Sequence, residues 1–175
     1  IGGKLTTYRR MAEDVVDVLV RHDRSDVPCR TDNLVLAGGE DHEAVHTQVL
    51  NMAEGLGLSL SQAEHLYETY GSGALRLIDL IRKEPALRRP LVPDLPVLAG
   101  EVVLACREEQ AVTVPDWLIL RSRLALLDRN HGRACAGDVA ALMARELGWS
   151  DEEQALQVAA FDDAIAAELD FLRDL

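Results

Sequence analysis

Apolar residues recur at every third or fourth position along most of this chain, and that spacing is the period of an α-helix. The first such stripe begins just after Thr7 and consists of Tyr8, Met11, Ala12, Val15 and Leu19. Aromatic residues, which strands favour, make up only 4% of the chain. The sequence therefore predicts a mostly α protein, folded as a compact helical domain of about six to eight helices.

Six further apolar stripes indicate helices downstream, and another helix is predicted over 74–83. The stripes are Val45, Val49, Met52, Ala53 and Leu56; Leu66, Tyr67 and Tyr70; Leu98, Val102, Ala105 and Cys106; Trp117, Leu120, Leu124 and Leu127; Val139, Leu142, Met143 and Leu147; and Val158, Ala159, Ile165, Leu169 and Leu172. The stretch 20–39 has no sustained period, so we expect a loop there with at most a short extended piece at 34–36.

Helix boundaries are indicated by capping residues and glycines. Two pairs have capping-box spacing, Ser61 with Glu64 and Ser150 with Glu153. The sequence Gly71-Ser72-Gly73 is expected to end one helix, and Thr113 with Pro115 and Asp116 to start another. Four of the six prolines lie between Pro85 and Pro96, so no regular helix is expected there, and we predict a crossover at 85–96.

The formal net charge of −12 argues against binding to nucleic acid or to an anionic membrane by charge alone. No apolar run reaches the roughly 20 residues that span a bilayer, so a soluble domain is expected, with reduced thiols in a cytoplasmic location as the default. Cys29, Cys106 and Cys135 are widely spaced and predict neither a disulfide framework nor a zinc ribbon. Because Ile1 is not Met and opens a glycine turn, we expect the chain to be a segment of something longer.

The turn Gly2-Gly3-Lys4-Leu5-Thr6-Thr7 is the first candidate for a binding site. Glycines allow a close approach of backbone to ligand, and the N-terminus of a helix beside a lysine attracts anions. The turn is not a phosphate-binding P-loop, because Leu5 stands where that motif has Ser or Thr. A solvated surface lysine is the simpler interpretation of these residues taken alone.

The segment His42-Glu43-Ala44-Val45-His46 matches the H-E-x-x-H pattern of zinc hydrolases. In those enzymes a third ligand completes the site, and Glu64 is the only plausible one here. The motif also falls in a first helical turn, with little strand content nearby. We expect no metal at these residues and keep a zinc hydrolase as a remote alternative.

Arg121, Arg123, Arg129 and Arg133 form the one basic concentration in this acidic chain. The simplest interpretation is that these arginines pair with carboxylates on an exposed helix face, and the alternative is contact with a partner domain or a phosphate. Three histidines, His22, His65 and His131, have no partner visible in the sequence. Trp117 and Trp149 are interpreted as packing anchors.

Two separated motifs resemble the flavin-dependent glycerol-3-phosphate dehydrogenases. The first is Gly2-Gly3-Lys4-Leu5-Thr6-Thr7-Tyr8-Arg9 with Met11-Ala12-Glu13, which is similar to the segment that ends their flavin domain. The second is a C-terminal signature made of Glu101-Val102-Val103, Ala105, Glu109, Ala111, Thr113, Asp116-Trp117-Leu118, Arg121-Ser122-Arg123-Leu124-Ala125 and Leu127-Asp128. One departure is Leu120, which stands where the family commonly has another arginine.

The resemblance implies that residues 1–8 end an FAD-binding domain and that residues 9–175 are a helical C-terminal domain. It implies a parent enzyme that oxidises sn-glycerol-3-phosphate to dihydroxyacetone phosphate and passes electrons to quinone or, in related oxidases, to oxygen. Lys4 would contact substrate, and Gly2, Gly3, Leu5 and Thr6 would contact the flavin. The expected partners are the FAD-binding domain of the same chain, the quinone pool and, for a homodimer, a second copy.

The resemblance also implies that the parent enzyme is cytoplasmic or peripheral on the inner face of the plasma membrane. The G-x-G-x-x-G region that binds a dinucleotide is missing from the chain, so the chain alone is expected to hold no FAD and to be inactive. A freestanding helical module that binds other proteins is the alternative.

Overall fold

The computed structural model describes residues 3–24, 27–36, 38–39 and 42–170. Within these ranges lie eight α-helices: α1 (Tyr8–His22), α2 (His42–Gly55), α3 (Leu60–Tyr70), α4 (Ala74–Lys83), α5 (Ala99–Glu108), α6 (Leu124–Leu127), α7 (Arg133–Leu147) and α8 (Asp151–Leu169). Three 3-10 helices, Leu5–Thr7, Gly71–Gly73 and Pro85–Arg88, and a π-helix, Asp116–Arg121, complete the helical structure. The described residues contain no strand, and Pro90 and Leu98 form an isolated β-bridge. The predicted mostly α class and number of helices are confirmed.

Helix α5 lies at the centre of the hydrophobic core. All of its residues from Ala99 to Ala105 are buried, and it packs against α4, α7 and the 3-10 helix Pro85–Arg88. Gly100 permits the close approach of α4, because a Cβ at this position would lie 3.0 Å from Cδ1 of Leu77. The core then extends through α7 to α8, where Phe161 and Ile165 are buried.

The segment 85–96 is a packed connection between α4 and α5. Its prolines prevent an α-helix, and the 3-10 helix Pro85–Arg88 buries Leu87 in the core. The main chain then turns back, so that residues 89–91 lie beside residues 97–99. Leu91 N donates to Val97 O (3.0 Å), and Ala99 N donates to Arg89 O (2.9 Å).

The capping box of α3 is shifted from its predicted place. Ser59, not Ser61, caps the helix: Gln62 N donates to Ser59 Oγ (3.2 Å), and Ser59 N donates to the Gln62 side chain (2.9 Å). Gly57, at φ +71°, ends the turn after α2, so the extended residue that can cap α3 comes at Ser59. At α8, Ser150 accepts from Glu153 N (3.2 Å) as predicted, but the Glu153 carboxylate accepts from Gln157 (2.9 Å).

The single helix predicted from Thr113 to Leu127 is wrong, because the chain breaks at Arg123. Residues Asp116–Arg121 form a π-helix, in which Ser122 N donates to Trp117 O (2.9 Å), and Arg123 then turns at φ +55° before α6. The wider π turn rotates later residues away from the predicted face. Trp117 and Leu124 are buried as expected, whereas Leu120 is 71% exposed and Leu127 is 59% exposed.

In α8 the inward face runs through Phe161 and Ile165, one turn apart, with Val158 and Leu169 partly buried against the core. Ala159 was predicted on this face but is exposed, because it lies off the line that these four residues follow. Leu172 lies outside the described residues.

Helix α1 forms as predicted but buries none of its residues. It is joined to the rest of the fold through the loop that contains Gly38. Ser72 N donates to Gly38 O (3.4 Å), and a Cβ on Gly71 would lie 2.0 Å from that same oxygen. Gly71 has φ +54° and ψ −128°, a backbone conformation that is essentially restricted to glycine.

Candidate functional site

The predicted anion-binding turn leads directly into α1. Lys4 has an extended backbone, and its carbonyl oxygen accepts from Thr7 N (3.0 Å) and from Thr7 Oγ1 (2.9 Å). The 3-10 helix that follows starts at Leu5, so the N–H groups of Leu5 and Thr6 have no partner within the helix. Lys4, Leu5 and Thr6 are exposed, and Gly2 lies outside the described residues.

The side chains around this turn leave the Lys4 ammonium group available. Lys4 forms no ion pair with any residue that the structure describes. The Met11 side chain lies over the turn, since a Cβ on Gly3 would lie 2.5 Å from its sulfur. The turn therefore carries a full positive charge and two N–H groups that have no partner within the helix, a combination that suits an oxyanion or a carbonyl oxygen of a ligand.

An apolar surface begins immediately after the turn. It is formed by α1 and the segment 27–36, which Arg9 connects through a hydrogen bond to Thr31 Oγ1 (3.1 Å). Grooves of about 550 and 500 Å³ run along the two sides of this contact. We call it the α1 surface; its exposed apolar residues are Tyr8, Val15, Val16, Val18, Leu19, Val27, Leu34, Val35 and Leu36.

The two histidines of the H-E-x-x-H pattern form hydrogen bonds to different residues, although both rings lie beside Tyr67. His42 Nδ1 is in hydrogen-bond contact with the Tyr67 hydroxyl, which also donates to the His42 carbonyl oxygen (3.1 Å). His46 Nε2 donates to Glu64 (2.9 Å), and the His46 ring lies 4.5 Å from the Tyr67 ring. Across the described ranges, no group of three or more His, Cys, Asp or Glu side chains could hold a metal ion.

A buried cluster that the sequence analysis missed joins α3 to α5. Glu101 is 2% exposed, and its Oε2 accepts from His65 Nε2 (2.9 Å) and from the Tyr70 hydroxyl (3.0 Å). Its other oxygen accepts from Leu98 N (2.6 Å), which caps the start of α5. The one signal for this cluster in the sequence is Glu101 itself, a glutamate inside the apolar stripe of α5. A carboxylate that is buried with such a stripe needs hydrogen-bond partners.

Charge interactions shift the pKa of both partners of Glu101. Burial lowers the pKa of His65, but the hydrogen bond and negative charge of Glu101, together with Glu68, outweigh it, so the pKa is raised overall. Burial and the negative charge of Glu101 also raise the pKa of Tyr70. The imidazole is therefore favoured as a cation beside the carboxylate, and the phenol remains a donor.

The interpretation of the arginine concentration is confirmed for two of its four members. Arg121 pairs with Asp116 (2.8 Å) and Glu109 (3.4 Å), and Arg133 pairs with Asp162 (3.3 Å). Arg123 and Arg129 are exposed and form no ion pair with the residues that the structure describes.

Among the helices of the described residues, none combines the length and the apolar character that a membrane span requires.

Residues 29–154 match the family model of the C-terminal domain of alpha-glycerophosphate oxidase. The chain is 37% identical over 163 residues to a probable mitochondrial glycerol-3-phosphate dehydrogenase of Caenorhabditis elegans. This alignment covers 90% of this chain and 22% of the relative. It is 36% identical over 155 residues to the mitochondrial glycerol-3-phosphate dehydrogenase of Mesocricetus auratus, covering 86% of this chain and 21% of the relative.

A bacterial relative aligns over more of the chain. The glycerol-3-phosphate dehydrogenase of Mycobacterium leprae is 32% identical over 169 residues, covering 96% of this chain and 29% of the relative. The chain thus spans less than a third of the length of these relatives. The family model includes α2 to α7 and the start of α8. The chain therefore belongs to the family of the C-terminal domain of alpha-glycerophosphate oxidase.

Proposed function

We propose that this chain is the C-terminal domain of an FAD-dependent enzyme that oxidises sn-glycerol-3-phosphate to dihydroxyacetone phosphate. The relatives named glycerol-3-phosphate dehydrogenase support this activity for the parent protein. The observation that carries the proposal is the turn before α1, which combines the exposed Lys4 with the N–H groups of Leu5 and Thr6 at the start of a helix. We further propose quinone as the electron acceptor and a homodimer as the assembly, both on the resemblance alone.

The donors at this turn fit a flavin and a phosphate-bearing substrate. Bound FAD would supply the hydride acceptor for C2 of glycerol-3-phosphate. The N–H groups of Leu5 and Thr6 would bind acceptor atoms of the flavin, and Gly2 and Gly3 would allow the backbone to approach it. Lys4 would contact the substrate, whose dianionic phosphate needs a full positive charge in addition to the partial charge of the helix terminus.

The α1 surface gives the domain a place to join the FAD-binding domain of the same chain. Its apolar residues follow the turn directly and have no cover from the helical core. Exposed apolar patches of this kind mark contact sites in folded proteins. The remaining helices, α2 to α8, would then have a structural role, supporting the turn and the surface without touching substrate.

Replacing Lys4 by Ala in the full-length protein tests the assignment. We expect kcat/KM for glycerol-3-phosphate to fall on the order of 100-fold, about 2–3 kcal/mol, because a charge-assisted contact is lost. Flavin content, read from the visible absorption spectrum, should change little because the backbone donors remain.

The matched control is Lys83→Ala, since Lys83 is the other lysine of the chain and is exposed at the end of α4. Its kcat/KM should equal that of the unmodified protein. A Lys4→Ala enzyme with unchanged kcat/KM would remove Lys4 from the substrate site. A full-length protein without flavin or glycerol-3-phosphate oxidation would refute the proposed function as a whole.

A further inference from the structure

A cavity of about 310 Å³ lies beside the buried Glu101. It is bounded by α3, by α5 and by the chain that leaves the π-helix, and its wall combines the Trp117 side chain with hydroxyls of Thr69, Tyr70 and Ser122. Ligand cavities in proteins start at roughly this volume, so the space suits a small molecule. Neither the Lys4 turn nor the α1 surface contributes to it.

Three basic side chains line the cavity, and two of them form ion pairs. His65 is neutralised by Glu101, with 2.9 Å between Nε2 and Oε2. Arg121 is paired with Asp116 and Glu109. Arg123 also lines the cavity and forms no ion pair with any described residue.

The backbone places Arg123 at the cavity in an unfavourable conformation. Its φ is +55°, in the left-handed region that non-glycine residues seldom adopt. The preceding π-helix brings it there: Trp117 O accepts both from Ser122 N (2.9 Å) and from Ser122 Oγ (3.0 Å), which fixes the turn. Left-handed non-glycine residues and π-helices are both frequent at binding sites.

We propose that this cavity binds a small organic anion whose carboxylate or phosphate group is held by the guanidinium of Arg123. Thr69 and Trp117 line the same cavity and would contact the body of that ligand. Guanidinium recognises both oxyanions through paired N–H donors, so the two headgroups share one chemistry.

Calorimetric titration of the chain with inorganic phosphate, and separately with acetate, tests the proposal. The unmodified chain should bind at least one of these anions saturably, and the anion bound identifies the headgroup. Arg123→Gly should weaken that binding by about tenfold or more, because glycine accepts the φ of +55° without a guanidinium. Arg123→Asn, which also tolerates this conformation, should behave in the same way if Arg123→Gly does not fold.

A matched control locates the bound anion. Arg129→Ala removes a neighbouring exposed arginine that does not line the cavity, so this variant should bind as tightly as the unmodified chain. The proposal is overturned if neither anion binds saturably, if folded Arg123→Gly binds normally, or if Arg129→Ala weakens binding as much as Arg123→Gly does.

Discussion

Glu101 shows how this fold tolerates a carboxylate in its core. Three donors, on His65, Tyr70 and Leu98, offset the free energy of removing its charge from water. His65 lies 36 residues before Glu101, so their pairing depends on how α3 packs beside α5. Sequence reasoning found no partner for His65 because nothing local indicates that packing.

The raised pKa of His65 predicts a pH-dependent stability. Because the folded pKa lies above the unfolded value of about 6.5, the stabilisation is fully present below that pH and is lost as pH rises through the folded pKa. We expect the unfolding free energy of the unmodified chain, relative to His65→Gln, to fall as the pH rises from below about 6.5 through the folded pKa of His65. Urea denaturation at several pH values measures it.

His22→Gln is the matched control, since the His22 side chain is 86% exposed at the end of α1. The pH dependence should be smaller for His22→Gln than for His65→Gln, because the one described partner of His22, Asp23, is itself exposed to water. A constant difference between the unmodified chain and His65→Gln over this range would show that the contact with Glu101 does not favour the charged imidazole.

The sequence predicted the helices that have a regular apolar period, but it did not predict the break at Arg123 between the π-helix and α6. The interval 74–83 was predicted with its observed bounds, because its apolar period is regular and glycines precede it. Between Thr113 and Leu127 the residues also fit a regular period, yet a π turn and the left-handed Arg123 interrupt it. Both features depend on hydrogen bonds of the Trp117 carbonyl oxygen, which helix propensities do not describe.

The three cysteines of the chain differ in exposure, and this difference predicts the order in which their thiols react. Cys29 is exposed in the segment 27–36, whereas burial, helped by the charge of Glu146, raises the pKa of Cys106 to about 11. Burial and Asp128 likewise raise the pKa of Cys135 to about 11. We expect iodoacetamide to modify Cys29 first in the purified chain, since the thiolate is the reactive form. Mass spectrometry of peptides at timed intervals measures the rates.

In the full-length protein the same experiment reports whether the α1 surface is covered. Cys29 should then react much more slowly, while the slow rates of Cys106 and Cys135 stay as they are and serve as internal controls. Equal rates for Cys29 in the chain and in the full-length protein would mean that no other domain covers this surface.

The whole molecule consists of a helical body, α2 to α8, and an N-terminal part that adds nothing to its core. The core residues begin at Val49 and end at Ile165, and they include no residue of α1. Composition and period sufficed to predict the mostly α class of this body and most of its helices, because apolar stripes mark those helices in the sequence. The pairing of Glu101 and the cavity beside Arg123 were beyond reach, since the pairing depends on how α3 packs beside α5 and the cavity on residues from three separate elements.

Deleting residues 1–36 should therefore leave the helical body intact. We expect a helical circular dichroism spectrum and a melting temperature within about 4 °C of the undeleted chain, equivalent to ~1 kcal/mol or less. A large loss of melting temperature would show that α1 stabilises the body after all.

The undeleted chain should be colourless when purified, because the G-x-G-x-x-G region that binds a dinucleotide is absent from it. One equivalent of flavin absorbance in the visible spectrum would contradict this prediction.

The contact between Gly38 and Gly71 constrains how this sequence can evolve. Any side chain at position 71 would overlap the Gly38 carbonyl oxygen, so a lineage that keeps this contact must keep glycine there. Neither glycine has a reactive group, and neither lies in the Lys4 turn or the cavity beside Arg123. If related proteins keep glycine at both positions, the cause is therefore steric. Their conservation would not be evidence that either position belongs to a catalytic site.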